Sequence, residues 1–201
     1  MLALDIRQKG ATLKPIIIFD IDDTLTHFES TYLTYAIEYD KTLRNAGRLY
    51  FDRWISRSFD WNEEERNEFR KRYRVKTQQT TNVKQNAVKL IKKLSKNYQI
   101  YFLSARDEKD FDMGLNDTKK WLKDKGFYFD NVIFNKNKAE EVDKLNNVIA
   151  YIDDNIQNCE SVVNLNKNIK VYLCNTETNF KKETSLKRFN SFYELEKLLD
   201  F

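Results

Sequence analysis

Five short apolar runs, each ending in polar residues, constrain the fold of this chain more than anything else in it. They are Pro15–Ile21 "PIIIFDI", Tyr98–Ser104 "YQIYFLS", Asn131–Phe134 "NVIF", Val148–Asp153 "VIAYID" and Ile169–Cys174 "IKVYLC". Short runs rich in β-branched and aromatic side chains, apolar throughout, suit strands covered on both faces. Between them the apolar residues switch to helical spacing. Val83, Ala87, Val88, Leu90, Ile91 and Leu94 form one stripe within Thr81–Asn97. Asn116 or Asp117 can cap a helix that carries Trp121 and Leu122 and that Gly126 closes. Lys138–Leu145, Ile156–Leu165 and Ser191–Leu199 read as further helices. Strand alternating with helix predicts an α/β fold, a Rossmann-like three-layer sandwich around a mainly parallel, five-stranded sheet.

The interval from about Glu29 to Arg74 breaks this alternation, since no strand pattern occurs in it. Leu33, Ala36, Ile37 and Leu43 stand at helical spacing before Gly47, and Asn62 with Glu65 has the form of a capping box opening "NEEERNEFRKRYR". The expectation is a small helical cap inserted after the first strand, residues 30–83, on a core made of residues 1–29 and 84–201. Tyr50, Phe51, Trp54 and Trp61 then read as core of that cap rather than as a cage for substrate. There is no internal repeat, and four Gly and one Pro leave no flexible linker to mark a boundary.

A chain of 201 residues with 41% hydrophobic and 14% aromatic content can bury a sizeable core and is not disordered. Its 35 Lys and Arg against 31 Asp and Glu are interspersed, so the net +4 argues little for nucleic acid. The Lys-rich runs "KKLSKN" and "KKWLKDKG" read as solvated helix faces. Cys159 and Cys174 have neither metal-ligand spacing nor a companion imidazole, because His27 is the sole histidine, and they are expected to be reduced thiols. "MLALDIRQKG" carries charge within its short apolar stretch, and no apolar run approaches the ~18 residues of a membrane helix. The expectation is a soluble cytoplasmic protein with a small anionic substrate and an open oligomeric state.

Parallel α/β sheets bind ligands at the C-terminal ends of their strands. Asp20, Asp22 and Thr24 follow the first strand, Ser104 the second, Lys136 and Lys138 the third, Asp153 and Asp154 the fourth. An Asp-x-Asp spacing alone says little, as Asp110–Gly114 "DFDMG" shows by following no strand and reading as a loop. Position carries the information. Four carboxylates brought together repel one another unless a cation neutralises them, and Mg²⁺ suits a site of few oxygen ligands beside a phosphate. For one such pair, turn and capping aspartates are an equal alternative. Two pairs, with a serine and a lysine at matching strand ends, favour a site.

In this order "FDIDDTLT", "YFLSAR", "NKNK" and "YIDDN" resemble the four motifs of the haloacid dehalogenase-like phosphohydrolases, over Ile16 to about Asn175. The resemblance implies that Asp20 attacks phosphorus and carries an aspartyl-phosphate, while Asp22 protonates the leaving oxygen and later takes a proton from water. It implies Mg²⁺ held by Asp20, the Asp22 backbone carbonyl and Asp153, with Asp154 as a further ligand or just behind them. Ser104 and the Ala105 N–H would bind the phosphoryl oxygens, and Lys138, or Lys136 in its place, would balance charge. Thr24 would hold Asp22 and its loop on the substrate side.

A narrower resemblance lies in "DTKKWLKDKGFYFDNVIFNKNKAEEV", "IDDN" and "IKVYLCNTETNF", which look like the 5'-nucleotidase branch that includes deoxyribonucleotidases. It implies that Phe28 stacks on a nucleobase, unless that ring packs within the cap. Asp23 stands where that branch often has Gly, and His27 where it often has an acidic residue. The expected activity is therefore Mg²⁺-dependent phosphomonoester hydrolysis, with a nucleoside monophosphate as substrate or, alternatively, a sugar phosphate or other small metabolite. A signalling receiver uses similar groups but lacks a cap-sized insertion, and a silent binding module would not keep every catalytic group.

Overall fold

The computed structural model describes residues 14–51 and 54–199, so the reading of Met1–Gly10 lies outside the described residues. The strands are β1 (Ile16–Phe19), β2 (Gln99–Ser104), β3 (Asn131–Phe134), β4 (Val148–Asp153), β5 (Lys170–Cys174) and β6 (Lys187–Phe189). They form one parallel sheet in the order β3-β2-β1-β4-β5-β6. The sheet thus has six strands where five were expected. The sixth, "KRF", is a three-residue edge strand whose two charged side chains give no apolar run to read, as befits an edge.

The helices are α1 (Phe28–Leu43), α2 (Glu63–Thr80), α3 (Ala87–Leu94), α4 (Leu115–Asp124), α5 (Lys138–Asp143), α6 (Ile156–Leu165) and α7 (Phe192–Leu198). Alternation along β1 sorts them into two layers. Ile17 and Phe19 pack with Leu90 and Ile91 of α3, Trp121 and Leu122 of α4 and Phe192 and Leu195 of α7. Ile16 and Ile18 face the other way, against Val142 of α5 and Cys159 and Val162 of α6. Both faces of β1 are therefore buried, which explains its unbroken apolar run. Cys159 and Cys174 are free and buried.

Two helix starts differ from the sequence reading. The stripe that begins at Val83 becomes helix only from Ala87, because Asn86 takes a left-handed conformation at φ 66° and Val83 makes an antiparallel bridge to Thr26. On α4 the cap position is Gly114 rather than Asn116 or Asp117, which fall inside the first turn. A side chain at 114 would meet the Glu108 carboxylate, since a Cβ built there lies 2.7 Å from Glu108 Oε1.

The insertion after β1 is helical, as expected, and has its own apolar cluster of Phe28, Tyr32, Ala36, Tyr39, Ile55, Phe59, Trp61, Phe69 and Tyr73. The buried stripe of α1 is Phe28, Tyr32, Ala36 and Tyr39, whereas Ile37 and Leu43 are exposed. Of the aliphatic residues that the spacing favoured, Ala36 lies in that face and Leu33 packs against it, while aromatic rings supply the rest. Of the four insertion aromatics read as cap core, Trp61 is buried while Tyr50, Phe51 and Trp54 are exposed. The Asn62–Glu65 capping box forms in full and opens α2. Entry and exit run side by side, joined by His27 N–H to Asn82 O at 2.9 Å and Lys84 N–H to Leu25 O at 2.8 Å.

Asp23 explains its own presence here. Its φ is 61°, the left-handed region that glycine adopts without strain, and its Oδ1 accepts the Glu29 N–H at 2.7 Å. It thereby caps α1, which its N-cap residue His27 does not do with its side chain. Asp23→Gly should lose this cap and about 1 kcal/mol of stability. Asp23→Ala should lose about 1–2 kcal/mol more for a left-handed alanine. Urea denaturation of both variants checks the order, and an alanine variant as stable as the glycine variant would contradict it.

Candidate active site

Register places the acidic residues side by side. Phe19 pairs with Ile152, and Asp20 N–H donates to Ile152 O at 2.8 Å, so Asp20 and Asp153 leave adjacent strands together. Phe19 also pairs with Phe102, which brings Ser104 to the same edge two residues further along β2. Lys138, the first residue of α5, is 4% exposed and its Nζ donates to Asp20 Oδ1 and, at 2.8 Å, to Asp153 Oδ2. Lys136 points elsewhere, pairing at the surface with Asp107 at 2.9 Å and Asp110 at 2.8 Å. Of the two lysines it is Lys138 that reaches the Asp20 and Asp153 carboxylates.

Asp153 is wholly buried and held from every side. Besides Lys138 it accepts from the Tyr151 hydroxyl at 2.5 Å, Asn158 Nδ2 at 3.1 Å and Asn155 N–H at 2.7 Å. Tyr151, Asn155 and Asn158 were missed at the sequence level, although each lies within five residues of Asp153. Asp20, Asp153 and Asp154 each offer one carboxylate oxygen, and these atoms lie within 4.8 Å of one another. Their crowding has an electrostatic cost. Burial pushes the Asp20 carboxyl up to about 7, against the pull of Lys138 and with help from Asp153 and Asp22. Burial, then Asp153 and Asp20, raises Asp154 well above the usual range.

Asp22 has a different environment. Its carboxylate is gripped along one edge of the Arg106 guanidinium, by Nε to Oδ2 at 2.8 Å and Nη2 to Oδ1 at 2.7 Å. Arg106 is fastened in turn through Nη1 to Thr118 Oγ1 at 3.0 Å. Burial alone would push Asp22 up, but Arg106, helped by Arg74 and Lys138, holds it below the ordinary carboxylate range. Arg106 closes the run "YFLSAR", and an arginine in a buried strand-end turn is the signal by which it could have been found.

The remaining sequence candidates divide. Ser104 is buried at the strand end, and its Oγ accepts the Arg106 N–H at 3.3 Å. Ala105 beside it is exposed. Thr24 does not hold Asp22 as expected, because its fully buried hydroxyl donates to Asp154 Oδ1 at 3.5 Å. Phe28 is 6% exposed, with its ring 5.3 Å from that of Tyr32 and 4.8 Å below the Arg74 guanidinium. Asp112, read as a loop residue in "DFDMG", is buried. It joins α2 to the core by accepting from Arg74 Nε at 2.6 Å and Gln78 Nε2 at 2.5 Å.

With this geometry in hand, comparison with solved structures places the fold. A haloacid dehalogenase-like family hydrolase from Streptococcus pneumoniae superposes with a TM-score of 0.62 at 14% identity, over 92% of this chain and 98% of its own. YfnB from Bacillus subtilis, assigned as a HAD-hydrolase and bound to magnesium, gives 0.58 at 12% identity, over 94% and 100%. A predicted phosphatase from Clostridium acetobutylicum gives 0.60 at 16% identity, over 93% and 98%. No family model and no curated protein matches the sequence. The chain therefore has the haloacid dehalogenase-like fold, as its motifs led one to expect. Among the described residues no helix is long and apolar enough to cross a membrane.

Proposed function

We propose that this protein is a Mg²⁺-dependent hydrolase of small phosphomonoesters that works through a phosphorylated Asp20. The observation that carries the reading is the convergence of Asp20, Asp153 and Asp154 oxygens within 4.8 Å, beside Lys138 and next to a separately clamped Asp22. Three hard oxygen donors fit Mg²⁺, and Lys138 engages only one oxygen each of Asp20 and Asp153. Bound there, with the Asp22 backbone carbonyl as a further ligand, Mg²⁺ would supply charge neutralisation for the carboxylates and the phosphoryl oxygens.

In the first step an Asp20 carboxylate oxygen forms a bond to phosphorus as the bond to the leaving oxygen breaks, and an alkoxide leaving group takes its proton from Asp22, which has first bound one from solvent. Ser104 and the Ala105 N–H donate to the phosphoryl oxygens, and the Lys138 ammonium offsets their developing charge. In the second step water attacks the same phosphorus, Asp22 takes its proton, and the Asp20–phosphorus bond breaks to release phosphate. The Arg106 pair keeps Asp22 ionised and ready for that second role. A leaving group that needs no proton, such as an aryl oxide, is therefore served directly by the resting site.

Residues 30–83 act as the cap over this site, supported by the separate apolar cluster of the insertion and by the bridge between Thr26 and Val83 where the chain enters and leaves it. The cap argues for a compact substrate. A nucleoside monophosphate would set its base against Phe28, but Tyr32 and Arg74 already cover that ring. A sugar phosphate or similar small metabolite asks for no such displacement. The test is hydrolysis of p-nitrophenyl phosphate: turnover should vanish with EDTA and return with Mg²⁺. Turnover that persists without metal would overturn the reading.

A further inference from the structure

The insertion presents a buried polar group that the reaction above does not use. Tyr32 is 4% exposed, and its hydroxyl, which lies beside Arg74, makes no hydrogen bond of ordinary geometry among the described residues. Such a buried hydroxyl is costly to leave unpaired and marks a place where a partner is missing. Its neighbour is Arg74, whose Cζ lies 5.7 Å from the Tyr32 ring centre and 4.8 Å from that of Phe28.

Arg74 is built to present its outer nitrogens. Its Nε is taken by Asp112 Oδ1 at 2.6 Å, and Asp112 is fixed by Gln78 Nε2 and, through Oδ2, by the Asp107 N–H at 3.1 Å. Beyond this, Nη1 and Nη2 of Arg74 make no hydrogen bond of ordinary geometry among the described residues, with the Tyr32 hydroxyl beside them. The aromatic rings of Phe28 and Tyr32 bar the guanidinium from turning, so the fork that binds carboxylate or phosphate is preset. Asp107, which donates to the same Asp112, is next in the chain to the Arg106 that holds Asp22, and this puts Arg74 on the catalytic side of the insertion.

We propose that Arg74 and the Tyr32 hydroxyl together bind a second oxyanion, a carboxylate or a further phosphate, carried on the leaving group of the substrate. The inference rests on the phosphatase reading and names the substrate class for it. A compact leaving group with an acidic group a few bonds from the ester oxygen would place its charge beside Arg74 while its phosphate lies at Asp20. Arg74 and Tyr32 then act as specificity residues, since they touch the leaving group and not the phosphorus.

The experiment compares matched probes that differ in one acidic group: 3-phosphoglycerate with glycerol 3-phosphate, and fructose 1,6-bisphosphate with fructose 1-phosphate. A charged hydrogen bond of ordinary strength predicts a kcat/KM ratio of about tenfold or more in favour of one anionic member, and which pair shows it identifies carboxylate or phosphate. Arg74→Lys, which can still pair with Asp112, and Tyr32→Phe, which removes only the orphan hydroxyl, should each bring that ratio towards one through KM. A purely structural role would lower both members of a pair and leave the ratio unchanged. A ratio near one in the native protein for both pairs, or a ratio that survives in both variants, overturns the inference. Failure of the native protein to hydrolyse p-nitrophenyl phosphate would instead sink the phosphatase reading and this inference with it.

Discussion

Asp20→Asn should abolish turnover, lowering kcat by at least about 10⁴-fold, while the protein remains folded. An amide oxygen is too poor a nucleophile to displace an alkoxide or aryl oxide from phosphorus, so the first step has no substitute. The fold should tolerate the change for a reason visible in the site. The Asp20 carboxyl is 5% exposed and pushed up to about 7, chiefly by burial, so a neutral group of the same shape removes repulsion with Asp153 and Asp154. Lys138 keeps Asp153 as a partner. Thermal unfolding and p-nitrophenyl phosphate hydrolysis measured on one preparation separate the two effects. A variant that keeps a tenth of the native kcat would remove Asp20 from the mechanism.

Arg106→Ala should cost both stability and activity. The guanidinium is 1% exposed and makes two bonds to Asp22 and one to Thr118, so its removal strands a carboxylate that burial alone would push up. Breaking a buried pair from one side costs about 3 kcal/mol, readable as a shift in urea midpoint. Asp22 would also lose the grip that aims it, and kcat should fall about 100-fold. Arg106→Lys should recover part of the stability and less of the activity, because a lysine restores the charge but not the two-point hold. An alanine variant as stable and active as the native protein would show that the clamp has no role.

The layered fold and the aspartates at its strand ends were legible in the sequence because both depend on local pattern. Unbroken apolar runs such as "IIIF" report burial on both faces, and a run that ends in Asp reports the edge at which ligands bind. The capping box at Asn62 was legible for the same reason, since both partners lie within one turn. What escaped depends on contacts distant in sequence. Arg106 meets Asp22 across 84 positions and Arg74 meets Asp112 across 38, and neither spacing leaves a periodic trace. Asp112 looked like a loop residue because it follows no strand, yet the fold buries it under α2. Thr24 reads as a partner of Asp22 on proximity in the chain, whereas the turn carries its hydroxyl to Asp154, just past the end of the neighbouring strand. β6 was missed because two of its three residues are charged, an edge strand's defence against further pairing.

Asp23, beside Asp22 in the run after β1, has a structural place of its own. It occupies a left-handed turn and caps α1, which fixes where the insertion leaves the core. Acidic side chains so close in sequence thus serve three different ends. Asp20 faces Lys138, Asp22 is locked to Arg106 and Asp23 supports the helix that begins at Phe28.

The most direct test of the central claim is to trap the covalent state. Protein mixed with ³²P-labelled p-nitrophenyl phosphate and Mg²⁺ should be quenched in acid within the first turnover, digested and mapped. The account predicts hydroxylamine-labile label on the peptide that carries Asp20, dependent on Mg²⁺ and missing from Asp20→Asn. Turnover accompanied by no protein-bound label, or by label on Ser104, would contradict it.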